Sequence, residues 1–110
     1  MAGNEPIKDR IILVRGQDFI ERFGRLDKDD PIPTGTTARI EITEGRTVDE
    51  PILHTWTATD ITTDYVGFRI ESDDCDDVDA GNWWRLMIRY PGTPNAADYC
   101  WRAGQIKRLP

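Results

Sequence analysis

Few side chains in this sequence are of the types that act as nucleophiles, general bases or metal ligands. There is one histidine, His54, in a threonine-rich stretch, and there are two cysteines, Cys75 and Cys100. A lone histidine supplies neither a metal cluster nor a catalytic triad, and the carboxylates around Cys75 disfavour the thiolate that a nucleophile requires. No glycine-rich phosphate loop and no histidine pair is present. We therefore expect a protein that is not an enzyme and that uses no cofactor and no metal.

The most charged stretch is an acidic loop with five aspartates in seven residues: Asp73, Asp74, Asp76, Asp77 and Asp79. Like charges at this density cannot be buried unpaired, so the stretch is predicted to be a solvated loop. Clustered carboxylates also suit Ca²⁺, but the spacing typical of helix–loop–helix calcium sites is broken here. A third interpretation is that the loop docks on a basic neighbour in an assembly.

Four tryptophans in 110 residues form a second chemical feature. Trp56 and Trp84 are predicted to anchor the core, whereas Trp83 and Trp101 are candidates for a surface. Exposed tryptophans on a β-sandwich stack on sugar rings or act as interface hot spots. The alternative, that all four pack inside or at a strand edge, is equally open. With two arginines of the same segment, the candidate interaction residues are Trp83, Arg85, Arg89 and Trp101.

Length and composition limit the function further. A chain of 110 residues with 38% hydrophobic and 31% charged residues is typical of one globular domain. Its net charge of −6 argues against nucleic-acid binding, which needs a basic surface. No apolar run approaches the roughly 20 residues of a membrane helix, and residues 1–6 are polar and lack the pattern of a secretory signal. We expect no nucleic-acid partner, no membrane contact, and assembly in a cytosol with both thiols reduced.

Turn signals divide the chain into the elements that would position these residues. Residues 1–9 are predicted to be a flexible N-terminal arm, and residues 10–110 a single domain. Segment 17–23 fits either a helical or a strand face, and Gly24 favours the strand. The other predicted strands are 10–15, 36–44, 52–61, 65–71, 83–90 and 99–109, the last bent at Gly104. Proline, glycine and aspartate place turns at 26–35, 45–51, 60–64 and 91–95. This pattern predicts an all-β, immunoglobulin-like sandwich of seven to eight antiparallel strands.

Alternation in two of these strands predicts which side chains face the core. In segment 36–44, apolar Ala38, Ile40 and Ile42 alternate with Arg39, Glu41 and Thr43. In segment 83–90, one face carries Trp84, Leu86, Ile88 and Tyr90. The other face carries Trp83, Arg85, Met87 and Arg89, and its two arginines mark it as the wetter one.

The segment Asp79-Ala80-Gly81-Asn82-Trp83 resembles the corner that opens the sixth strand of immunoglobulin-like domains, where Asp-x-Ala/Gly-x-Tyr is typical. In those domains an aromatic side chain locks the corner, so the resemblance implies that the ring nitrogen of Trp83 replaces the tyrosine hydroxyl. Arg85 stands where antibody domains have a cysteine, so the disulfide between the sheets is absent.

A second resemblance covers most of the chain. Gly16-Gln17-Asp18-Phe19 precedes the proline-bearing loop 31–35 and the alternating segment 36–40, and these are followed by Gly67, the Ala80-Gly81 corner and the closing segment 104–108. This order resembles the LtfC-like β-sandwich family of actinobacteriophage structural proteins, and it is similar in plan to the N-terminal domain of upper baseplate proteins. The resemblance implies a non-enzymatic part of a virion, made in several copies, whose partners are other phage structural proteins.

We therefore expect a structural protein of a bacteriophage virion that lies in the tail, neck or baseplate, forms a homo-oligomer and acts through protein–protein contacts. Two alternatives stay open: a capsid decoration protein on the head surface, and a carbohydrate-binding module that recognises host-wall glycan.

Overall fold

A computed structural model describes residues 6–25, 31–45, 50–92 and 97–110 of the chain. These residues form nine strands and one short helix, arranged as two facing sheets. The strands are β1 (Ile7–Lys8), β2 (Ile11–Val14), β3 (Phe19–Gly24), β4 (Thr37–Thr43), β5 (Ile52–Thr57), β6 (Asp60–Ile61), β7 (Tyr65–Ile70), β8 (Trp83–Tyr90) and β9 (Ala97–Leu109). The helix, α1 (Ser72–Asp76), joins β7 to β8.

The strand order confirms the predicted immunoglobulin-like sandwich. The large sheet has the order β1-β9-β8-β4-β5, with β2 also paired to β9, and the small sheet has the order β3-β7-β6. In immunoglobulin lettering, β9, β8 and β4 correspond to strands G, F and C, and β3, β7 and β6 to strands B, E and D. One detail of the prediction is wrong: β1 and β2 run parallel to β9, so the sandwich is not entirely antiparallel.

The core lies between the sheets and follows from the alternation in β4 and β8. Ile40, Ile42, Leu86 and Ile88 are fully buried, as predicted, and Trp84 is 2% exposed. Phe23 of β3 packs on Trp84 of β8 with ring centroids 5.9 Å apart, and Phe19 packs on Trp56 at 5.7 Å. The rings of Phe23 and Trp84 therefore join the two sheets where antibody domains use the disulfide between strands B and F.

Part of the predicted N-terminal arm belongs to a sheet. Ile7 and Lys8 form β1 and pair with Arg102 and Ala103 of β9, because the chain passes close beside β9 before β2 begins. Residues 1–5 lie outside the described residues, and the division of the chain at residue 10 stays a prediction.

The predicted strand 52–61 is two strands that lie in different sheets. β5 ends at Thr57, and the chain then crosses from the large sheet to the small one. The Ala58 N–H donates to the Ala38 carbonyl of the large sheet (3.0 Å), while the Thr59 N–H donates to the Gly67 carbonyl of the small sheet (2.8 Å). A change of sheet leaves the β propensity of the segment unbroken, so composition alone predicted one strand.

The last strand deviates at Trp101, and Gly104 has a different role from the predicted bend. Leu86 pairs with Arg102 and Met87 pairs with Cys100, which leaves Trp101 as the extra residue of a β-bulge. Gly104 is the point where the N-terminal segment crosses: a Cβ atom there would lie 1.5 Å from the Asp9 carbonyl oxygen. No side chain fits at this crossing.

The predicted strand 17–23 forms from Phe19 onwards, whereas residues 17 and 18 precede it, and β3 pairs with β7 from Phe19 to Gly24 without irregularity. Several predicted turns fall wholly or partly outside the described residues, namely the portions 26–30, 46–49 and 93–96.

Candidate interaction surfaces

The outer face of the large sheet carries most of the predicted interaction residues. We define this outer face as the residues of β4, β8 and β9 that pair with one another and point away from the small sheet: Thr37, Arg39, Glu41, Thr43, Trp83, Arg85, Met87, Arg89, Asp98, Cys100, Ala103 and Gln105. They form rows because the strands are in register. Trp83 pairs with Thr43 and Gln105, and Arg85 pairs with Glu41 and Ala103.

Glu41 is the electrostatic centre of the outer face. Its residue is only 7% exposed. The Arg39 Nε–H donates to its Oε2 at 2.9 Å, and the Arg85 Nε–H donates to its Oε1 at 2.7 Å. Burial raises the pKa of the Glu41 carboxyl, but the hydrogen bonds and charges of the two arginines outweigh burial and hold the pKa below its ordinary value. Glu41 is therefore ionised and fixed between two cations.

The same network continues to the edge of β9. The Asp98 carboxylate forms ion pairs with the guanidinium groups of Arg39 at 3.7 Å and Arg89 at 3.9 Å. Five charges of alternating sign thus cross three strands in the order Arg85, Glu41, Arg39, Asp98, Arg89. The predicted candidates Arg85 and Arg89 are both members of this network. Carboxylates of the same chain therefore hold both guanidinium groups in place.

The four tryptophans divide differently from the prediction. Trp56 and Trp84 are buried, as predicted, and Trp83 is half-buried on the outer face. Of the two candidates for a surface, Trp101 follows the alternative and packs inside: it is 3% exposed and its indole N–H donates to the Tyr90 hydroxyl at 3.1 Å. The bulge that centres on Trp101 turns its ring into the core. Trp101 therefore offers no ring to a sugar or to a partner.

The corner before β8 forms, but its aromatic lock differs from the resemblance. Trp84, and not Trp83, points into the core at the start of β8, so the corner is displaced by one residue from the antibody pattern. The backbone fastens it to β9: the Gly81 N–H donates to the Ile106 carbonyl at 3.0 Å, and the Ile106 N–H donates to the Asn82 carbonyl at 2.7 Å. Gly81 has φ +87°, a conformation that favours glycine.

The acidic stretch begins as a helix and is not a loop throughout, which corrects the prediction. α1 covers Ser72–Asp76, and Cys75 and Val78 anchor this stretch in the core. Arg108 of β9 donates to the Cys75 carbonyl at 2.7 Å and contacts the Asp76 carboxylate at 3.1 Å, while Asp18 accepts the Ser72 N–H at 2.9 Å. The Asp76 carboxylate is thus paired with an arginine of the same chain.

The other four aspartates of the stretch, Asp73, Asp74, Asp77 and Asp79, are exposed. Within the described ranges, no three histidine, cysteine, aspartate or glutamate residues are grouped so that they could hold a metal ion. The exposed carboxylates form an acidic surface at the end of the sandwich where β7 meets β8.

The two cysteines and the histidine are the remaining residues of reactive types. Burial raises the pKa of the Cys75 thiol, and the nearby Asp76 and Asp18 charges act in the same direction. Burial also raises the pKa of the Cys100 thiol. Both cysteines are free thiols. His54 lies half-buried on β5. Neither thiol has the surroundings of an activated nucleophile.

Sequence reasoning placed Glu41 on the outward row but missed its burial between two arginines. The sequence could have indicated one of these arginines, because Arg39 is only two residues from Glu41. Arg85 is 44 residues away and comes opposite Glu41 only through the pairing of β4 with β8. The long open edge of β3 was also missed, because the sequence does not say which sheet the first strands join.

These observations first define a class: the chain is an immunoglobulin-like β-sandwich domain without a B–F disulfide. The family model described as "LtfC-like, beta-sandwich domain" matches residues 5–109, and the chain belongs to this family. No curated protein matches the sequence. No helix in the described part of the chain has the length and apolarity needed to span a membrane.

Two solved structures share a weak likeness with the fold. One comes from a photo-crosslinking study of multimeric cell-adhesive interactions of VGSC beta subunits, with a TM-score of 0.44, 6% identity and coverage of 93% of this chain and 92% of that chain. The other is the extracellular domain of the voltage-gated sodium channel beta4 subunit in parallel homodimers, with a TM-score of 0.41, 5% identity and coverage of 100% and 99%. Likenesses this weak carry no argument about function.

Proposed function

We propose that this chain is a non-enzymatic structural protein of a bacteriophage virion, located in the tail, neck or baseplate, and that it acts through protein–protein contacts. The observation that carries the proposal is the family match over residues 5–109, joined to the resemblance between that family and the structural proteins of tailed phages. The partners of such a protein are other structural proteins of the particle and further copies of the chain.

The outer face of the large sheet is the surface that we assign to these contacts. Trp83 is half-buried there, and Arg85 is held on Glu41 at 2.7 Å. Aromatic and arginine side chains supply much of the binding energy of protein interfaces when they are held in place and desolvated. The network that centres on Glu41 holds these side chains in one arrangement before binding, which lowers the entropy lost on association.

Substitution of Trp83 by alanine tests this assignment. Since Trp83 is half-buried and lies outside the core, we expect Trp83→Ala to lower the free energy of unfolding by only about 1 kcal/mol. We expect the same variant to lower incorporation into virions about ten-fold or more, as a central interface residue would. The measurements are chemical denaturation of the purified chain and quantitative mass spectrometry of particles assembled with each variant.

Tyr99→Ala is the matched control, because Tyr99 is an exposed aromatic residue that pairs with the buried Ile88 and so lies on the opposite side of the sheet from the outer face. It should fold and enter particles like the wild type. Normal incorporation of Trp83→Ala would contradict the assignment of the outer face.

Two alternatives make different claims about the same surface. A capsid decoration protein would also act through protein contacts, and it would be present in far more copies. A glycan-binding module would use Trp83 alone, since the other three tryptophans are buried. Glycan binding predicts a shift of tryptophan fluorescence on titration with cell-wall saccharides, and this shift should vanish in Trp83→Ala.

A further inference from the structure

The small sheet ends at an uncovered strand. In constant-type immunoglobulin sandwiches strand A pairs with strand B, so that the sheet has the order A-B-E-D. Here β1 and β2 pair with β9 of the large sheet instead, and β3 pairs with β7 alone. A groove of about 370 Å³ separates β2 from β3, and Arg102 of β9 also lines it. In the described residues, no strand pairs with the second edge of β3, which faces this groove.

The ladder with β7 fixes which peptide groups of β3 are free. The Gly67 carbonyl accepts a hydrogen bond from Thr59, on the side of β6, so the peptide groups of Gly67 point away from β3. Gly67 lies opposite Arg22. By the alternation of an antiparallel ladder, the N–H and C=O groups of Arg22, and of Ile20 two residues earlier, therefore point to the open edge. The Arg22 N–H donates to Glu21 Oε1 at 3.3 Å, and a partner strand would replace this bond.

The side chains at this edge form a pattern that is complementary to itself. Ile20 and Arg22 of β3 share one parity and lie on the outer side of the small sheet, and Ile20 is 62% exposed. Asp18 directly precedes β3 and lies on the same side, since its carboxylate is 4.0 Å from Arg69, which pairs with Ile20. The order along the chain is negative, apolar, positive. Read in the opposite direction on a second copy, the order is positive, apolar, negative.

Symmetry limits how two such edges pair. A twofold axis perpendicular to the sheet keeps every side chain on its own face, so only residues of equal parity lie opposite each other. With Glu21 or Arg22 on the axis, two like charges would lie directly opposite, which is unfavourable. With Ile20 on the axis, the two isoleucines meet, and Arg22 of each copy lies opposite Asp18 of the other.

We propose that two copies of this chain pair antiparallel along the free edges of β3, with Ile20 on the twofold axis, and so join their small sheets into one continuous sheet. The peptide groups of Ile20 and Arg22 then form the new ladder. Charge complementarity between Asp18 and Arg22 selects this register. Asp18 keeps its bond to the Ser72 N–H through one carboxylate oxygen and shares the other, 4.0 Å from Arg69, with the incoming arginine. The Arg22 guanidinium, which lies 4.8 Å from the centre of the Tyr65 ring, is already held on this side of the strand. The biological purpose of the pair rests on the proposed virion role, whereas its formation in solution does not.

The other open edges are less suited to pairing. β2 and β6 have four and two residues. β5 has six residues, but its pairing with β4 is irregular between Ile42 and Thr43, and Pro51 precedes it. Bulges and prolines of this kind discourage strand addition at an edge. By contrast, β3 pairs regularly over six residues and has no proline.

The test is the mass of the purified chain in solution, measured by sedimentation equilibrium over a concentration series. We expect twice the monomer mass of 12.6 kDa at high concentration. Ile20→Lys places two like charges on the axis and should give a monomer. Arg22→Glu should raise the dissociation constant about ten-fold, and the double variant Asp18→Arg with Arg22→Glu should pair more tightly than either single variant, because the two charges are exchanged. Comparison with Asp18→Arg alone separates this exchange from the loss of the bond between Asp18 and the Ser72 N–H.

A cysteine substitution tests the register itself. Hydrogen-bonded residues on the axis of an antiparallel pair have Cα atoms about 5.5 Å apart, which suits a disulfide. Ile20→Cys should therefore cross-link two chains on mild oxidation. The control Ile12→Cys, at an exposed position on β2, should not. Leu53→Lys, on the edge of β5, should leave the dimer unchanged.

A chain that remains monomeric at every concentration overturns the pairing, and so does a dimer that persists in Ile20→Lys. A dimer in solution together with absence of the chain from virions would leave the pairing intact and overturn the virion role.

Discussion

The two long edge strands of the sandwich, β3 and β5, differ in the regularity of the ladder that each forms with its neighbouring strand. Each has six residues and an exposed apolar side chain, Ile20 at 62% and Leu53 at 45%. The irregular ladder beside β5 interrupts the edge of the large sheet, whereas the ladder beside β3 is regular. In the proposed pairing, regularity of the ladder, and not strand length or hydrophobicity, distinguishes the edge of β3 from that of β5.

The largest effect is expected when the inward side of β3 is changed. Phe23→Ala removes the ring that packs on Trp84 at 5.9 Å and should lower the free energy of unfolding by about 3–5 kcal/mol. Ile20→Ala, on the opposite side of the same strand, should change it by about 0.5 kcal/mol or less. Chemical denaturation of both variants measures the difference. Equal losses would show that β3 does not separate a core face from an exposed face.

The next effect concerns the crossing that sends β1 and β2 to the large sheet and leaves β3 uncovered. Gly104→Ala places a Cβ atom against the Asp9 carbonyl, so the N-terminal segment must move away from β9. We expect a loss of about 3 kcal/mol, as in other overpacked sites. Gly24→Ala, which meets no atom within 4 Å, is the control on β3. Denaturation curves that coincide for the two variants would refute the close approach of Asp9.

A smaller, pH-dependent effect is expected beside β5, at Glu41. Its folded-state pKa lies below the ordinary value of 4.5, so it stabilises the fold when the pH is above that value, and this contribution is lost as the pH falls through the folded-state pKa. Glu41→Gln should lower the free energy of unfolding by about 1–2 kcal/mol at neutral pH, because both arginines are partly exposed. The gap between the two proteins should close in acid. A gap that stays constant below the ordinary pKa would contradict the ion cluster.

Local pattern was sufficient for much of the fold. The alternation of Ala38, Ile40 and Ile42, and that of Trp84, Leu86 and Ile88, identified the core faces of β4 and β8 because a strand has a period of two residues. The family was also recognised from glycines, prolines and one alternating strand. These features depend on residues that are close together in the sequence.

The errors concern relations between distant segments. The burial of Trp101 depends on a bulge whose register is set by β8, and the helix at Ser72–Asp76 depends on Arg108, which binds the Cys75 carbonyl. The sheet that β2 joins depends on the close contact of Asp9 with Gly104. Hydrophobic periodicity contains no information about such pairings. The sequence therefore predicted Trp83, Arg85 and Arg89 of the outer face, but it predicted neither the burial of Trp101 nor the unpaired edge of β3.

The copy number of this chain in purified virions, determined by quantitative mass spectrometry against the major capsid protein, tests the central claim most directly. We expect a few to a few dozen copies in each particle, as in a tail, neck or baseplate. Hundreds of copies would contradict that location and indicate capsid decoration or a tail tube. Absence from the particle would contradict the structural role itself.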